Sequence, residues 1–281
     1  MSTFSEASAS DLKRLLELFP IADLRKSWPD VKGDKESISS SIARTRDLRA
    51  IAAFVDENLA RCKQHVYVFT SLEKVEKLPS TLLGQPVLAK QASRSLYVLR
   101  TRYDVIVRDP LGKRSAEFLW PISLEVMPGK VTVVLRCAML EKAMSAYFGE
   151  GTYITGRTLG ESHVTSEMAA LDLERVDLHK GLKKLWEDGF MDSPSAKVKK
   201  TISMATETMD ESRGIKKYNQ ELYRTIHKSL IIKILFYPTD GRGLGVTAFS
   251  AKPSDGYLAF PRYSGEGGTD RVIREILANN Q

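Results

Sequence analysis

Leu96-Tyr-Val-Leu-Arg-Thr-Arg-Tyr-Asp-Val-Ile-Val-Arg108 is the stretch whose reading decides the fold. Taken at period two, its odd positions Tyr97, Leu99, Tyr103, Val105 and Val107 are apolar or aromatic. Its even positions include Arg100, Arg102, Asp104 and Arg108. Side chains alternate between the faces of a strand, so this segment reads as a strand with one dry and one wet face. Asp109-Pro-Leu-Gly-Lys113 makes a turn, Glu117 to Met127 continues as extended chain broken by Pro121, and Pro128-Gly129-Lys130 makes a second turn. Val131 to Cys137 is another strand, followed by a helix near Leu140 to Phe148. Turns this close together leave no room for crossover helices, so the strands are expected to pair antiparallel.

Upstream, residues 1–65 read as helical. Leu12, Leu15, Leu16 and Phe19 share one face of a first helix with Ser10 as its N-cap. Short helices follow over Ala22–Trp28 and Lys35–Arg44, and a longer one over Asp47–Lys63 carries Leu48, Ile51, Ala52, Val55 and Leu59 at helical spacing. Val66-Tyr-Val-Phe69 opens the strand-rich part.

Downstream, residues 149–160 are rich in glycine and threonine and read as a loop. Residues 163–228 read as mainly helical with a break at Gly189–Pro194; Leu182, Leu185 and Trp186 mark an apolar face, and Lys197, Lys199 and Lys200 a small basic cluster. Strands are expected over Leu230–Tyr237, Val246–Ala251 and Gly256–Pro261, then a last helix, Arg271–Leu277, capped by Asp270. Strands followed by a helix thus occur at about 96–148 and again at 230–280, which suggests two similar strand–helix halves. The expected fold is α+β. A small helical domain spans 1–65. A mainly antiparallel α+β domain spans 66–281, with a helical insertion at about 163–228.

The formal net charge of +7 is compatible with a polyanionic partner. Cys62 and Cys137 stand far apart with no CxxC pair, which fits buried thiols in a reducing compartment. The N-terminus lacks the charged and apolar regions of a secretory signal, and the run Leu230–Tyr237 is too short to span a bilayer. A cytoplasmic protein, nuclear in a eukaryote, is expected, with no membrane partner.

The stretch Ile21 to Arg44 resembles the SAP family, a helix–extended–helix DNA-binding motif. Leu24 and Trp28 fit its first helix, Lys32, Gly33 and Lys35 the link, and Ile38 and Ile42 the second helix. It departs at its end, where SAP motifs carry an arginine–leucine pair and this chain has Ile42-Ala43-Arg44. The resemblance implies that the link and the start of the second helix approach DNA phosphates, with Arg25, Lys32, Gly33, Lys35 and Arg44 as contacts. Free N–H groups at a helix start favour an anion, and glycine lets a backbone come close. Residues 1–65 hold eleven lysines and arginines against ten acidic residues, so the module as a whole is nearly neutral.

Residues 66–140 hold eleven lysines and arginines against six acidic residues and carry most of the surplus. Arg100, Arg102 and Arg108 share one side of a strand by period-two counting, with Lys113 and Arg114 just past the turn. Such a sheet face can lie along a phosphate backbone without reading bases. A helical module joined to a basic α+β unit is similar in architecture to the centromere protein N family, which reads DNA backbone within a larger assembly.

No catalytic motif is present. His65, His163, His179 and His227 are scattered without metal-ligand spacing. Gly241-x-Gly243-x-Gly245 is followed by a strand, so it reads as a hairpin turn rather than a phosphate loop. Asp104, Asp109, Glu117 and Glu125 would have to converge for a metal-dependent nuclease. The expectation is a non-catalytic nucleic-acid-binding protein without cofactor or metal, contacting duplex DNA as a subunit of a larger complex. Two alternatives stand beside it. One is a protein–protein adaptor docking through the Trp186/Phe190 end and the C-terminal helix. The other is a divergent nuclease or defence effector.

Overall fold

The computed structural model describes residues 7–71, 87–91, 94–109, 112–126, 132–139, 146–148, 152–154, 173–199, 203–209, 214–239 and 244–280. Of these, 71, those of 87–126 apart from Glu125, and those of 146–154 are described by backbone alone. The fold is α+β, with helices gathered at the N-terminus and an antiparallel sheet. Contacts divide the chain into two compact units. Unit 1 holds Met1–His65 and Thr70–Leu173, and unit 2 holds Val66–Phe69 and Glu174–Gln281. The contacts do cut the chain at the expected 65/66 boundary, but they join Thr70–Leu173 to the helices, so residues 1–65 are not a unit by themselves.

Unit 1 begins with helices α1 (Ala9–Leu16), α2 (Ile21–Ser27), α3 (Lys35–Thr45) and α4 (Leu48–Asn58). The cap of α1 is Ser8, not Ser10. Its hydroxyl accepts from the Asp11 N–H at 3.1 Å while the Asp11 carboxylate accepts from the Ser8 N–H at 3.2 Å, a reciprocal box that Ser10 cannot form. Helix α4 stops before the expected Lys63. The Asn58 amide turns back to donate to the Phe54 carbonyl at 2.8 Å, and a 3-10 turn, Leu59–Arg61, leads into strand β1 (Gln64–Ser71). Leu12, Leu16, Phe19, Leu24, Ile38, Ile42, Ile51 and Val55 are fully buried together as the core of the helices. The Phe54 ring meets Phe19 at 5.2 Å and Trp28 at 4.9 Å.

The strands of unit 1 are β2 (Val87–Gln91), β3 (Arg94–Asp109), β4 (Gly112–Val126), β5 (Thr132–Ala138), β6 (Ala146–Phe148) and β7 (Thr152–Ile154). β3 and β4 form one long antiparallel hairpin, from Ser95 opposite Val126 to Asp109 opposite Gly112. β5 pairs the other edge of β4, while β2 and β6 pair the free edge of β3 at its two ends. Pro121 does not break β4: the β4–β5 ladder begins at Ile122, so the missing donor sits just past that ladder. The helix expected at 140–148 is corrected by β6, whose Tyr147 pairs Ile106; residues 140–145 lie outside the described residues. β7 likewise falls inside the expected loop at 149–160, the rest of which lies outside the described residues.

Unit 2 contains all but the first residue of β8 (Leu173–Arg175), then α5 (His179–Glu187), β9 (Met191–Lys199), β10 (Met204–Thr208), α6 (Ile215–Tyr218), α7 (Gln220–Lys228), β11 (Leu230–Pro238), β12 (Phe249–Lys252), β13 (Tyr257–Phe260) and α8 (Gly268–Ala278). Its strands run in the order β10-β9-β11-β12-β13, followed by Val66–Phe69 of β1. Val68 donates to the Gly256 carbonyl at 2.8 Å and accepts from the Val176 N–H at 3.0 Å. A file of rings fills the interior, with centroids 5.7 Å apart for Trp186–Phe236, 5.4 Å for Phe236–Phe249 and 5.5 Å for Phe249–Phe260.

The helical insertion expected at 163–228 is corrected by β9 and β10, while 163–172 lies outside the described residues. Ala196 and Val198 are buried and alternate with the more exposed Lys197 and Lys199, a period of two that Pro194 also favours over helix. The second strand–helix half matches the expectation, although Gly267 rather than Asp270 is the N-cap of α8. The first half ends in a strand, so the two halves differ there.

Candidate nucleic-acid interface

The link of the SAP-like stretch shows what each of its polar groups does. Leu24, Ile38 and Ile42 are fully buried and Val31 nearly so, which fixes the turn between α2 and α3. Gly33 has φ +123, a conformation that favours glycine, and an added Cβ would stand 2.9 Å from that of Ser37. Arg25 donates to the Gly33 carbonyl at 3.0 Å. Asp34 caps α3 by accepting from the Ser37 N–H at 2.8 Å. That backbone bond, with the Ser37 hydroxyl beside it, holds the Asp34 carboxyl below the usual carboxylate range. The place where an incoming phosphate would meet the helix start is thus filled by the chain's own carboxylate. Arg46 pairs with Asp30, and Lys13 reaches Glu36 at 3.3 Å. Lys32 and Arg44 are exposed and Lys35 is half-buried.

Arg100, Arg102, Arg108, Lys113 and Arg114 lie where the description is of backbone alone, and the register places them along the β3–β4 hairpin. Arg108 stands directly opposite Lys113, Arg114 opposite Val107, Arg102 opposite Leu119 and Arg100 opposite Pro121. The same register sets Asp104 opposite Glu117 and Asp109 opposite Gly112. Glu125 is taken up elsewhere. Its carboxylate accepts from Arg136 at 3.2 Å, with both side chains 6% exposed, and Arg136 also donates to the Gln64 amide oxygen at 3.4 Å.

Nearby, burial pushes the Cys62 thiol up to about 12, against an opposing pull from Arg136. Cys62 and Cys137 are both free and buried.

Part of each surface expected to dock a partner protein is buried within the chain, while Arg271 and Arg274 of α8 are exposed. Trp186 is fully buried and donates to Asp192 at 2.9 Å, and Val272, Ile273 and Ile276 bury the inner face of α8. Residues 240–243 of the glycine-rich turn and Lys200 lie outside the described residues, and a strand, β12, follows that turn. Among the described residues, no group of three or more His, Cys, Asp or Glu comes together to hold a metal ion, and no helix is long and apolar enough to cross a membrane.

One residue that sequence reasoning passed over stands out. Lys233 of β11 lies directly opposite Lys197 of β9, a juxtaposition that only the register reveals. Compared with protein-family models, with curated proteins and with solved structures, the chain matches none.

Proposed function

We propose that the protein is a non-catalytic nucleic-acid-binding protein, a subunit of a larger complex, which holds the phosphate backbone of duplex DNA along the β3–β4 hairpin. The observation that carries the reading is the register. Arg108 faces Lys113 across the ladder, and Arg100 and Arg102 occupy alternate positions of the same long strand. Like charges placed directly opposite are destabilising, and a polyanion relieves them while releasing its own counterions. At about 3.3 Å per residue, Arg100 to Arg108 spans roughly 26 Å, room for several phosphates of one strand. Contacts of this kind set position and affinity and carry little base preference. The SAP-like link contributes less to this reading, because the Asp34 carboxylate already caps the start of α3 where a phosphate would bind.

The test is a titration of a fluorescent duplex by anisotropy over a range of salt. Arg102→Gln with Lys113→Gln should flatten the log–log slope by nearly two, at about 0.9 per lost phosphate contact. Absence of binding by the wild type at low salt ends the proposal, as does an unchanged slope in the double variant.

A second reading is favoured by one pairing, Asp104 opposite Glu117. Paired carboxylates on neighbouring strands suit a divalent metal that cleaves phosphodiesters. Nicking of plasmid DNA that needs magnesium or manganese and is lost in Asp104→Asn would replace the non-catalytic reading.

A further inference from the structure

Unit 2 carries a basic sheet face that is separate in sequence from the β3–β4 hairpin. Lys197 of β9 lies opposite Lys233 of β11 on one side and Thr206 of β10 on the other. One step along, Ser195 lies between Leu235 and Thr208, and at the far end Lys199 lies between Leu230 and Met204. Strand alternation sends Ala196, Val198, Ile231 and Ile234 into the core. It leaves Lys199, Lys233, Thr206 and Thr208 exposed and Lys197 and Ser195 half-buried. Among the described residues, Lys197, Lys199 and Lys233 make no ion pair, whereas Lys252 of β12 is held by Asp255 at 3.8 Å.

We propose that this face is a second nucleic-acid site, taking the phosphodiester backbone of a strand laid across β10, β9 and β11. Two independent features point to phosphate. The first is the ladder itself, which sets Lys197 directly opposite Lys233, neither of them in an ion pair among the described residues; an anion seated there removes the repulsion between like charges. The second is the choice of neighbours, since Thr206, Thr208 and Ser195 supply hydroxyl donors in the same rows. Lysines and hydroxyls together are the groups that bond phosphate oxygens without reading bases. Aromatic side chains are missing from these rows, so stacking adds nothing and sequence preference is weak. A membrane surface fits less well, because it is met by basic groups that protrude, and Lys197 is half-buried between Lys233 and Thr206. The partner class rests on the reading of the chain as a nucleic-acid binder, while the site does not depend on the hairpin.

The experiment uses the full chain and three proteins: wild type, the unit 2 variant Lys197→Gln/Lys199→Gln/Lys233→Gln, and the hairpin variant Arg102→Gln/Lys113→Gln. Each is titrated by anisotropy with labelled single-stranded and duplex oligonucleotides of several sequences across a salt range. In parallel, each is sedimented with phosphatidylserine vesicles. The expected result is a unit 2 variant that melts at or above the wild-type temperature, loses affinity equally for all sequences, and flattens the salt slope by up to three. A slope unchanged in the unit 2 variant but flattened in the hairpin variant overturns this inference and leaves the hairpin reading standing. The converse result supports the unit 2 site and removes the hairpin. No binding by the wild type removes both. Vesicle binding lost in the unit 2 variant, with oligonucleotide binding intact, assigns the face to a membrane and overturns the proposal.

Discussion

Arg136 and Glu125 show how much a single pair can fix. Glu125 stands opposite Val134, two residues from Arg136 on β5, so the two charged groups meet diagonally on one face of the ladder. Both are nearly excluded from water, and Gln64 closes the group by accepting from Arg136 while donating to the Ala60 carbonyl at 2.7 Å. Desolvation offsets much of the attraction, yet removing one partner leaves a buried charge behind. Arg136→Met should therefore cost about 3–5 kcal/mol of stability in urea unfolding, and Glu125→Leu on top of it should recover most of that loss. A double variant no more stable than the single one would show that the pair is not the source. Cys62 lies within the electrostatic reach of Arg136, and burial keeps its thiol protonated up to about 12. Native protein at pH 8 should leave both thiols unreacted with a disulfide reagent over minutes, while urea-unfolded protein should titrate both; a prompt native reaction would show that this region opens. None of this could be read along the chain, because Gln64, Glu125 and Arg136 come from three segments and meet only through pairing.

At the scale of elements, local signals were legible and pairing was not. The alternation over 96–108 became β3 as read, and Ile38 and Ile42 at a spacing of four became the inner face of α3. β9 was hidden because Lys197, Lys199 and Lys200 made its segment look like a solvated helix, and the facing lysine on β11 is more than thirty residues away. Asp34 is the element-scale test of the SAP-like link. Its folded pKa lies below the ordinary carboxylate value, so its contribution to stability is present above that value and is lost as pH falls through the lowered one. Asp34→Ala should lower the melting temperature at neutral pH, with the difference closing in acid. Asp34→Asn keeps a capping acceptor but removes the charge. If the start of α3 receives phosphate, Asn should strengthen DNA binding; the geometry gives unchanged affinity, because Asp30 and Glu36 still answer Arg46 and Lys13. In unit 2, α5 and α8 approach so closely at Gly181 that a Cβ would stand 2.1 Å from the Ile276 carbonyl. Gly181→Ala should cost about 1–3 kcal/mol by forcing the helices apart, read as a shift in urea midpoint without change in slope.

For the whole molecule, the chain's route between units matters more than its composition. Residues 66–69 belong to unit 2 although the chain before and after them belongs to unit 1, so neither unit is a contiguous segment. The composition change near residue 65, from helical to strand-forming sequence, falls where the chain first leaves unit 1, but the chain returns to unit 1 at Thr70, so the change does not separate one whole unit from the other. Val66, Tyr67, Val68 and Phe69 are each no more than 1% exposed, and Tyr67 meets the Tyr257 ring at 5.2 Å. A fragment comprising 174–281 would lose these four side chains and leave β13 with an unpaired edge. Burial of each such side chain stabilises by about 1.5–3 kcal/mol, and the sum approaches the whole stability of a domain of this size. The fragment should therefore lack near-ultraviolet circular dichroism and a cooperative melt. Supplying residues 64–71 in trans as a peptide should restore both, by adding a strand to the open edge. The control peptide carries Val66→Asp, Tyr67→Asp, Val68→Asp and Phe69→Asp, which keeps the length and removes both apolar faces. A fragment that melts cooperatively without any peptide, or equally well with the control, would show that unit 2 does not need the borrowed strand.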